Sequence, residues 1–303
     1  MINGAKYIQD FTHKIPSPYG PLDSEGIPLF DLKILRQPTK LVYHPIVIIQ
    51  YGLGNYSLGL GGSQIGEDNF WHCAHWVEKN LKQEPEGRFS GLYYSFPLTS
   101  LRINPPWISG MTQGQALSLL TRAYKLKPTN VTSNAARMIA HSFLYSVEEG
   151  GFLQPTLLGN FFIEEVVSIP PVHILNGALY AIYGLYEYIQ CFNDNIVFTQ
   201  YEKCLNGILE MLPKFDLGWW SNYSIGVHWN LASQYYHDVH ILLLNELGTL
   251  FQEDLFLHYA EKWEISGSSH WNQFKCSLMI FIGRLFNLIF KINLLHRFRF
   301  KAY

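Results

Sequence analysis

Two adjacent carboxylates, Glu164 and Glu165, stand ahead of a rigid Pro170-Pro171 step, and His173 and Asn176 come next, where an aromatic run begins. The paired prolines fix the backbone and so hold the acids in a defined place relative to the start of that run. Leu175, Ala178, Leu179, Ile182, Tyr183 and Tyr186 recur at helical spacing, which predicts a helix beginning near His173 with one face buried. Backbone N–H groups at such a start lack helical partners and anchor an anion such as a carboxylate. Asn176, in the first turn beside small Gly177, then has either a structural partner or a ligand. The competing description is a pair of solvated acids with a capping histidine.

A second constellation lies in the run QYYHDVHI. Tyr236 and His240 are spaced i, i+4, and His237 and His240 i, i+3, so their side chains share one face or adjoining faces of a helix that restarts near Gln234. Histidines at this spacing suit a metal, but there is no H-E-x-x-H pattern and nothing points to a third ligand, so no metal is expected. The alternative is that they are hydrogen-bonded core residues.

Composition narrows the partners. A net charge of −2, from 22 basic and 24 acidic residues, provides no field that would select nucleic acid, so an anionic ligand must be met locally. Aromatic residues make up 16% of the chain, and such rings offer sugars a flat apolar face and a polar edge, although they also fill helical cores. Cys73, Cys191, Cys204 and Cys276 are scattered without C-x-x-C spacing, which predicts buried free thiols. The N-terminus lacks the order of a signal peptide and no long uncharged apolar stretch appears, so a cytoplasmic protein without an integral membrane segment is expected.

Positioning these residues falls to an arm and a helical body. Residues 1–42, with Pro16, Pro18, Pro21, Pro28 and Pro38, form an irregular arm with room for a short hairpin, and residues 43–303 form one helical domain. Helical patterns begin at about 45, 66, 111, 130, 173, 198 and 234, and an irregular excursion from Gln83 to Ser109 is long enough to suggest a function. Strands are expected only in the arm and in this excursion. Gln50, Gln113, Asn176 and His237 stand 63, 63 and 61 residues apart in comparable contexts. That period predicts four pairs of inner and outer helices, an all-α alpha/alpha toroid with inner-helix starts facing one mouth. Gln50, Gln113, Gln115, His173, Asn176 and His237 would then share a rim walled by loops bearing Glu165 and Tyr223. The C-terminal run CSLMIFIGRLFNLIFKINLLHRFRFKAY reads either as a final packing helix with a cationic tail or as a membrane-surface segment.

The strings PIVIIQYGLGNYS, SGMTQGQALSLLTRAY, EEVVSIPPVHILNGALYAIYGLYEY, FDLGWWSNYS and YYHDVHI resemble, in the same order, the C-terminal domain of D-glucuronyl C5-epimerases across roughly residues 40–265. The resemblance implies an alpha/alpha barrel. It also implies inversion of C5 of D-glucuronate within a polysaccharide such as a glycosaminoglycan, giving L-iduronate without a cofactor, and it favours a homodimer. Larger members carry a β-rich domain upstream for which this chain has no room, leaving the polymer cleft short of that part.

The proton on C5 lies alpha to a carboxylate, so its removal needs a base on one face, an acid on the other and stabilisation of an enolate-like intermediate. By position, the resemblance places the family's acid on Glu165, two of its tyrosines on Tyr223 and Tyr236, and its substrate-contacting asparagine on Asn176. Gln113, Gln115, His173, His237 and His240 complete the expected substrate contacts. Two positions depart from the pattern: Val166 stands where the family has tyrosine and Gly226 where it has arginine. The first removes a proton donor, and the second removes a charge with fork geometry. His173, His237 and His228 are candidates to replace the donor, and Arg102, Arg122 and Arg137 to meet the carboxylate. The alternatives to an epimerase are a noncatalytic saccharide-binding homologue and a polysaccharide lyase that begins with the same proton abstraction.

Overall fold

The computed structural model describes residues 4–15, 17, 19–226 and 230–283, so His228 and the segment from Arg284 onward lie outside the described residues. The chain divides into two compact units, Met1–Pro213 and Lys214–Tyr303.

The first unit holds α1 (Pro45–Leu60), α2 (Gln64–Lys79), α3 (Gly110–Leu126), α4 (Asn130–Ser142), α5 (Leu175–Cys191) and α6 (Asn195–Met211). Each start has a local cause. Pro45 supplies a preset φ at the first position of α1, and Ser63, Ser109, Thr129 and Asp194 accept first-turn N–H groups of α2, α3, α4 and α6. α1, α3 and α5 are buried around most of their circumference, whereas α2, α4 and α6 bury only one face. Contacts share the same division: α3 packs on both α1 and α5, and each inner helix packs on the outer helix next in sequence. The architecture is therefore all-α, with the alternating inner and outer helices of an α/α toroid.

α3 and α5 run side by side in the same direction, with Gly114 against Ala181 and Gly184 near one end and Arg122 against Glu187 near the other. At the first crossing the backbones touch, and a Cβ on Gly184 would collide with the Gly114 carbonyl. The ion pair Arg122 Nη1–Glu187 (2.6 Å) closes the far end, where the arm contributes the Lys6 carbonyl as a further acceptor for Arg122 Nη2 (3.4 Å).

The arm belongs to the first unit and contains the expected hairpin, β1 (Leu29–Asp31) paired antiparallel with β2 (Leu41–Tyr43). In the excursion, β3 (Lys82–Gln83) pairs with β4 (Ser90–Gly91) and β5 (Tyr93–Tyr94) with β6 (Trp107–Ile108). Strands are not confined to these two regions. β7 (Leu153–Pro155) and β8 (Phe161–Ile163) form a hairpin between α4 and α5, and β9 (Asn222–Ser224) pairs with β10 (Asn230–Leu231) ahead of the next helix. The physical reason is that connectors lying against a core must pair their buried N–H and C=O groups, and a hairpin does so locally.

The second unit contains α7 (Gln234–Phe251), packed on α8 (Asp254–Gly267), and a further helical stretch, α9, over residues 270–283. Trp220, Ala232 and Cys276 form its small core beneath the β9–β10 hairpin, with Tyr223, Tyr236 and Ile280 packed on them. The inner-helix starts expected near 45, 111, 173 and 234 are found at Pro45, Gly110, Leu175 and Gln234. No helix among the described residues is long and apolar enough to cross a membrane.

Candidate active site

β8 delivers the chain to Glu164 in an extended conformation held from both sides. The Glu164 N–H donates to the Phe152 carbonyl (2.9 Å), and its own carbonyl accepts from Gly110 N–H (3.0 Å) at the start of α3. Successive side chains in extended backbone point to opposite faces, so Glu164 and Glu165 diverge. The Glu164 carboxylate is 1% exposed and accepts both the His173 backbone N–H (3.1 Å) and the His173 ring Nδ1. His173 adopts a left-handed φ of 39°, a conformation that costs a residue with a Cβ, and both bonds to Glu164 hold it there. Glu164 is thus a buried clamp on the loop that enters α5, not a solvated acid.

Glu165 points to the other side and lies against the first turn of α5. A Cβ on Gly177 would fall 2.5 Å from both the Cβ and Oε2 of Glu165, so only glycine lets the carboxyl approach this closely. Glu165 Oε2 is buried without a protein hydrogen-bond partner. Burial, with the neighbouring Glu164 carboxylate as the second cause, pushes the Glu165 carboxyl up to about 7. Asn176, one residue before Gly177, is also buried, and its Oδ1 has no protein partner. α5 itself begins at Ile174 without a side-chain cap.

The starts of all three inner helices of the first unit meet around this loop. Tyr94 from β5 bonds Thr112 in the first turn of α3 (2.6 Å between the oxygens), stacks flat on Trp107 (3.7 Å) and receives His44, the residue before α1, edge-on (5.1 Å). Burial raises the Tyr94 phenol, and the charge of Glu165 raises it further, which ties this cluster electrostatically to the acid. Neither Tyr94 nor Thr112 stood out in the sequence, because β5 lies in an aperiodic loop; the excursion's unusual length was the available signal.

The remaining expected contacts divide between structural and unpartnered groups. Gln113 is fully buried and holds the excursion to α3, accepting Leu92 N–H (3.0 Å) and donating to the Leu92 carbonyl (3.0 Å). Gln115 is equally buried, but neither amide atom has a protein partner. Arg122, a candidate to meet the carboxylate, pairs instead with Glu187 and lies in the far half of α3. Arg137 neighbours Tyr188, in the last turns of α5 and far along that helix from Asn176. Arg102 is exposed in the excursion.

In the second unit, Tyr223 and Tyr236 are partly buried, with ring centroids 4.6 Å apart. His237 and His240 are fully buried and share the Ser221 hydroxyl, with Oγ 2.8 Å from Nδ1 of His237 and 3.0 Å from Nδ1 of His240. Ser221 N–H also donates to His237 Nδ1 (3.3 Å), which makes that nitrogen an acceptor and leaves Nε2–H to donate to the Trp263 carbonyl (3.1 Å). Trp220 stacks flat on the His237 ring at 3.8 Å. Burial lowers His237 to about 4 and His240 to about 3, so both rings are neutral near pH 7. Gly226 has a φ of 124°, in the region that favours glycine.

This chain is 28% identical over 212 residues to the D-glucuronyl C5-epimerase of Caenorhabditis elegans, a match covering 64% of this chain and 34% of that protein. It is 26% identical over 175 residues to an uncharacterized protein of Methanocaldococcus jannaschii, covering 56% of each. The chain thus spans about a third to just over half the length of these relatives. Among solved structures, cellobiose 2-epimerase from Spirochaeta thermophila superposes with a TM-score of 0.49 at 12% identity, over 72% of this chain and 56% of that one. The family profile described as D-glucuronyl C5-epimerase C-terminus matches residues 85–265, more than half of the sequence, and the chain belongs to that family.

Proposed function

We propose that this protein is a cofactor-independent carbohydrate epimerase acting at C5 of D-glucuronate residues in a polysaccharide, with Glu165 transferring the proton. One observation carries the reading: Glu165 lies against Gly177 in the first turn of α5 with its Oε2 buried and unpartnered, in surroundings that push the carboxyl up to about 7. A carboxyl balanced near neutrality can take the C5 proton on one face or deliver one there, and inversion is completed by a second proton-carrying group on the opposite face. The uncapped start of α5 offers N–H donors to a uronate carboxylate, and the unpartnered Asn176 Oδ1 offers an acceptor to a sugar hydroxyl. His173, oriented through Nδ1 by Glu164, is the titratable side chain of the same loop that takes over from the tyrosine replaced by Val166. Tyr223 and Tyr236 stand at the family's tyrosine positions, and their share is measured separately.

The test is incubation with an unsulfated glucuronate-containing glycosaminoglycan in deuterated water, read by NMR at C5. The wild type should introduce deuterium and L-iduronate, and Glu165→Gln should slow both by at least about a hundredfold, the usual contribution of general acid–base catalysis. Tyr236→Phe, which keeps the ring, should also reduce labelling. Polymer binding without labelling would instead identify a noncatalytic uronate-binding protein, and rising ultraviolet absorbance from an unsaturated product would identify a lyase.

A further inference from the structure

α2 turns aromatic rings outward, where an outer helix ordinarily carries charged and polar residues. Phe70, Cys73, Ala74 and Val77 are its buried side. Trp71, His72, His75, Trp76 and Lys79 recur at helical spacing on the opposite side, with both tryptophans half-buried and the other three exposed. The Trp71 and His75 rings stack, with centroids 6.0 Å apart and planes at 29°, and Tyr43 from the arm adds its ring beside Trp76 at 5.8 Å. Tyr43, Trp76, His75 and Trp71 thus form an aromatic ridge within the first unit, on a different helix pair from Glu165.

Two grooves flank this ridge and share His75. One, of about 440 Å³, lies between α2 and arm residues 24–27, with Glu25 and Lys79 on its walls. The other, of about 670 Å³, lies between α2 and the start of α4, with Glu67, Glu78 and Lys127 on its walls. Both are the size of ligand clefts. Among the described residues neither Trp71 nor Trp76 donates its indole N–H, whereas Trp107, Trp220 and Trp263 donate theirs to the Phe96 carbonyl, the Ala232 carbonyl and Asp216. The ridge therefore pairs flat apolar faces with free donors. Glu25, Glu67 and Glu78 oppose Lys79 and Lys127, so the lining has no dominant charge and gives an ionic ligand no net attraction. Uncharged sugar rings match this lining, because each has an apolar C–H face and a rim of hydroxyls that donate and accept.

We propose that the outer face of α2 is a secondary binding surface for uncharged sugar units of a polysaccharide. Tyr43, Trp76, His75 and Trp71 lie under the sugar rings, and Glu25, Lys79 and the two indole N–H groups bond their hydroxyls. This rests on the reading that the protein handles a polysaccharide, but not on proton transfer at Glu165.

The experiment is NMR of the indole N–H groups of the full chain during titration with cellotetraose and with chitotetraose, two uncharged sugar tetramers. Trp71→Phe and Trp76→Phe identify the resonances. The expected result is a saturable shift of the Trp71 and Trp76 signals with at least one tetramer, at an affinity that added salt does not change. The double substitution Trp71→Ala and Trp76→Ala, followed by calorimetry, should weaken binding about tenfold or more at unchanged circular dichroism. Should that variant misfold, His75→Ser, which alters an exposed ring common to both grooves, should still weaken it severalfold. Trp271→Ser, at a tryptophan that is 69% exposed elsewhere, should leave it unchanged. No saturable shift with either tetramer, shifts confined to other tryptophans, or an equal loss in Trp271→Ser would overturn the proposal. So would a wild-type dimer that the double variant dissociates, since the ridge would then belong to a second copy. Glu165→Gln should bind the tetramers as the wild type does. Tetramer binding without C5 labelling would therefore count against the catalytic reading alone, and labelling without tetramer binding against this surface alone.

Discussion

The loop between β8 and α5 and the histidine cluster beneath α7 both concentrate titratable side chains in buried surroundings, yet burial acts on them in opposite directions. At Ser221, His237 and His240 every ring nitrogen except the buried His240 Nε2 has a partner, and burial drives the imidazoles to about 4 and 3, away from neutrality and into neutral forms. At Glu165 burial moves a carboxyl toward neutrality, to about 7, and leaves one of its oxygens without a protein partner. The same desolvation therefore makes one group inert and the other ready to exchange a proton at physiological pH. Being rich in ionisable residues does not define a reactive site; the sign of the shift does.

The comparison breaks most visibly under truncation. His237→Ala removes a stacked, twice-bonded buried ring and should cost about 3 kcal/mol or more, as large-to-small core changes do. Chemical denaturation measures this, and a loss below about 1 kcal/mol would mean the cluster is not structural.

Glu165→Gln should do the reverse. The folded-state value is raised above the unfolded one, so the folded protein retains a proton that the unfolded chain releases. Stability therefore falls as pH rises from about 4.5 to about 7. Removing the ionisation should raise stability above pH 7 by up to about 3 kcal/mol relative to wild type, and change little below pH 4.5. Denaturation curves at pH 4 and pH 8 give the difference directly.

A smaller effect is expected at Ser221→Ala, about 1–2 kcal/mol for the shared hydroxyl. The histidines also set a slope on the acid side. His44, His237 and His240 are all held below their usual value by burial, His44 to about 3, so the stability present above pH 6.5 is lost progressively as pH falls toward 3. In His237→Phe, which keeps a ring in place, the slope of denaturation midpoint against pH should be shallower between pH 6 and 4.

Much of the scaffold was legible because its signals are local. Ser109 and Pro45 mark α3 and α1, the apolar spacing from Leu175 to Tyr186 marks α5, and the inner starts fell within two residues of expectation. The hairpins β7–β8 and β9–β10 were not, since strands of two or three residues carry too little alternation to register. In the site, Glu165 and Asn176 were visible beside the proline step, and the resemblance singled them out. The partnership of Glu164 with His173 was not visible, because it depends on a left-handed residue and a buried carboxylate, neither of which leaves a spacing pattern. Arg122 illustrates the converse: its charge suggested a ligand, but Glu187, 65 positions away, already neutralises it.

Carbon-13 NMR titration of the glutamate-labelled protein, with Glu165→Gln identifying the resonance, reads the Glu165 carboxyl directly. A midpoint near 7 is expected for Glu165, falling toward 4.5 in Gly177→Ala, where the added methyl drives the carboxyl out of its packed position. A wild-type midpoint near 4.5 would mean that Glu165 is an ordinary solvated acid, and would contradict its role in proton transfer.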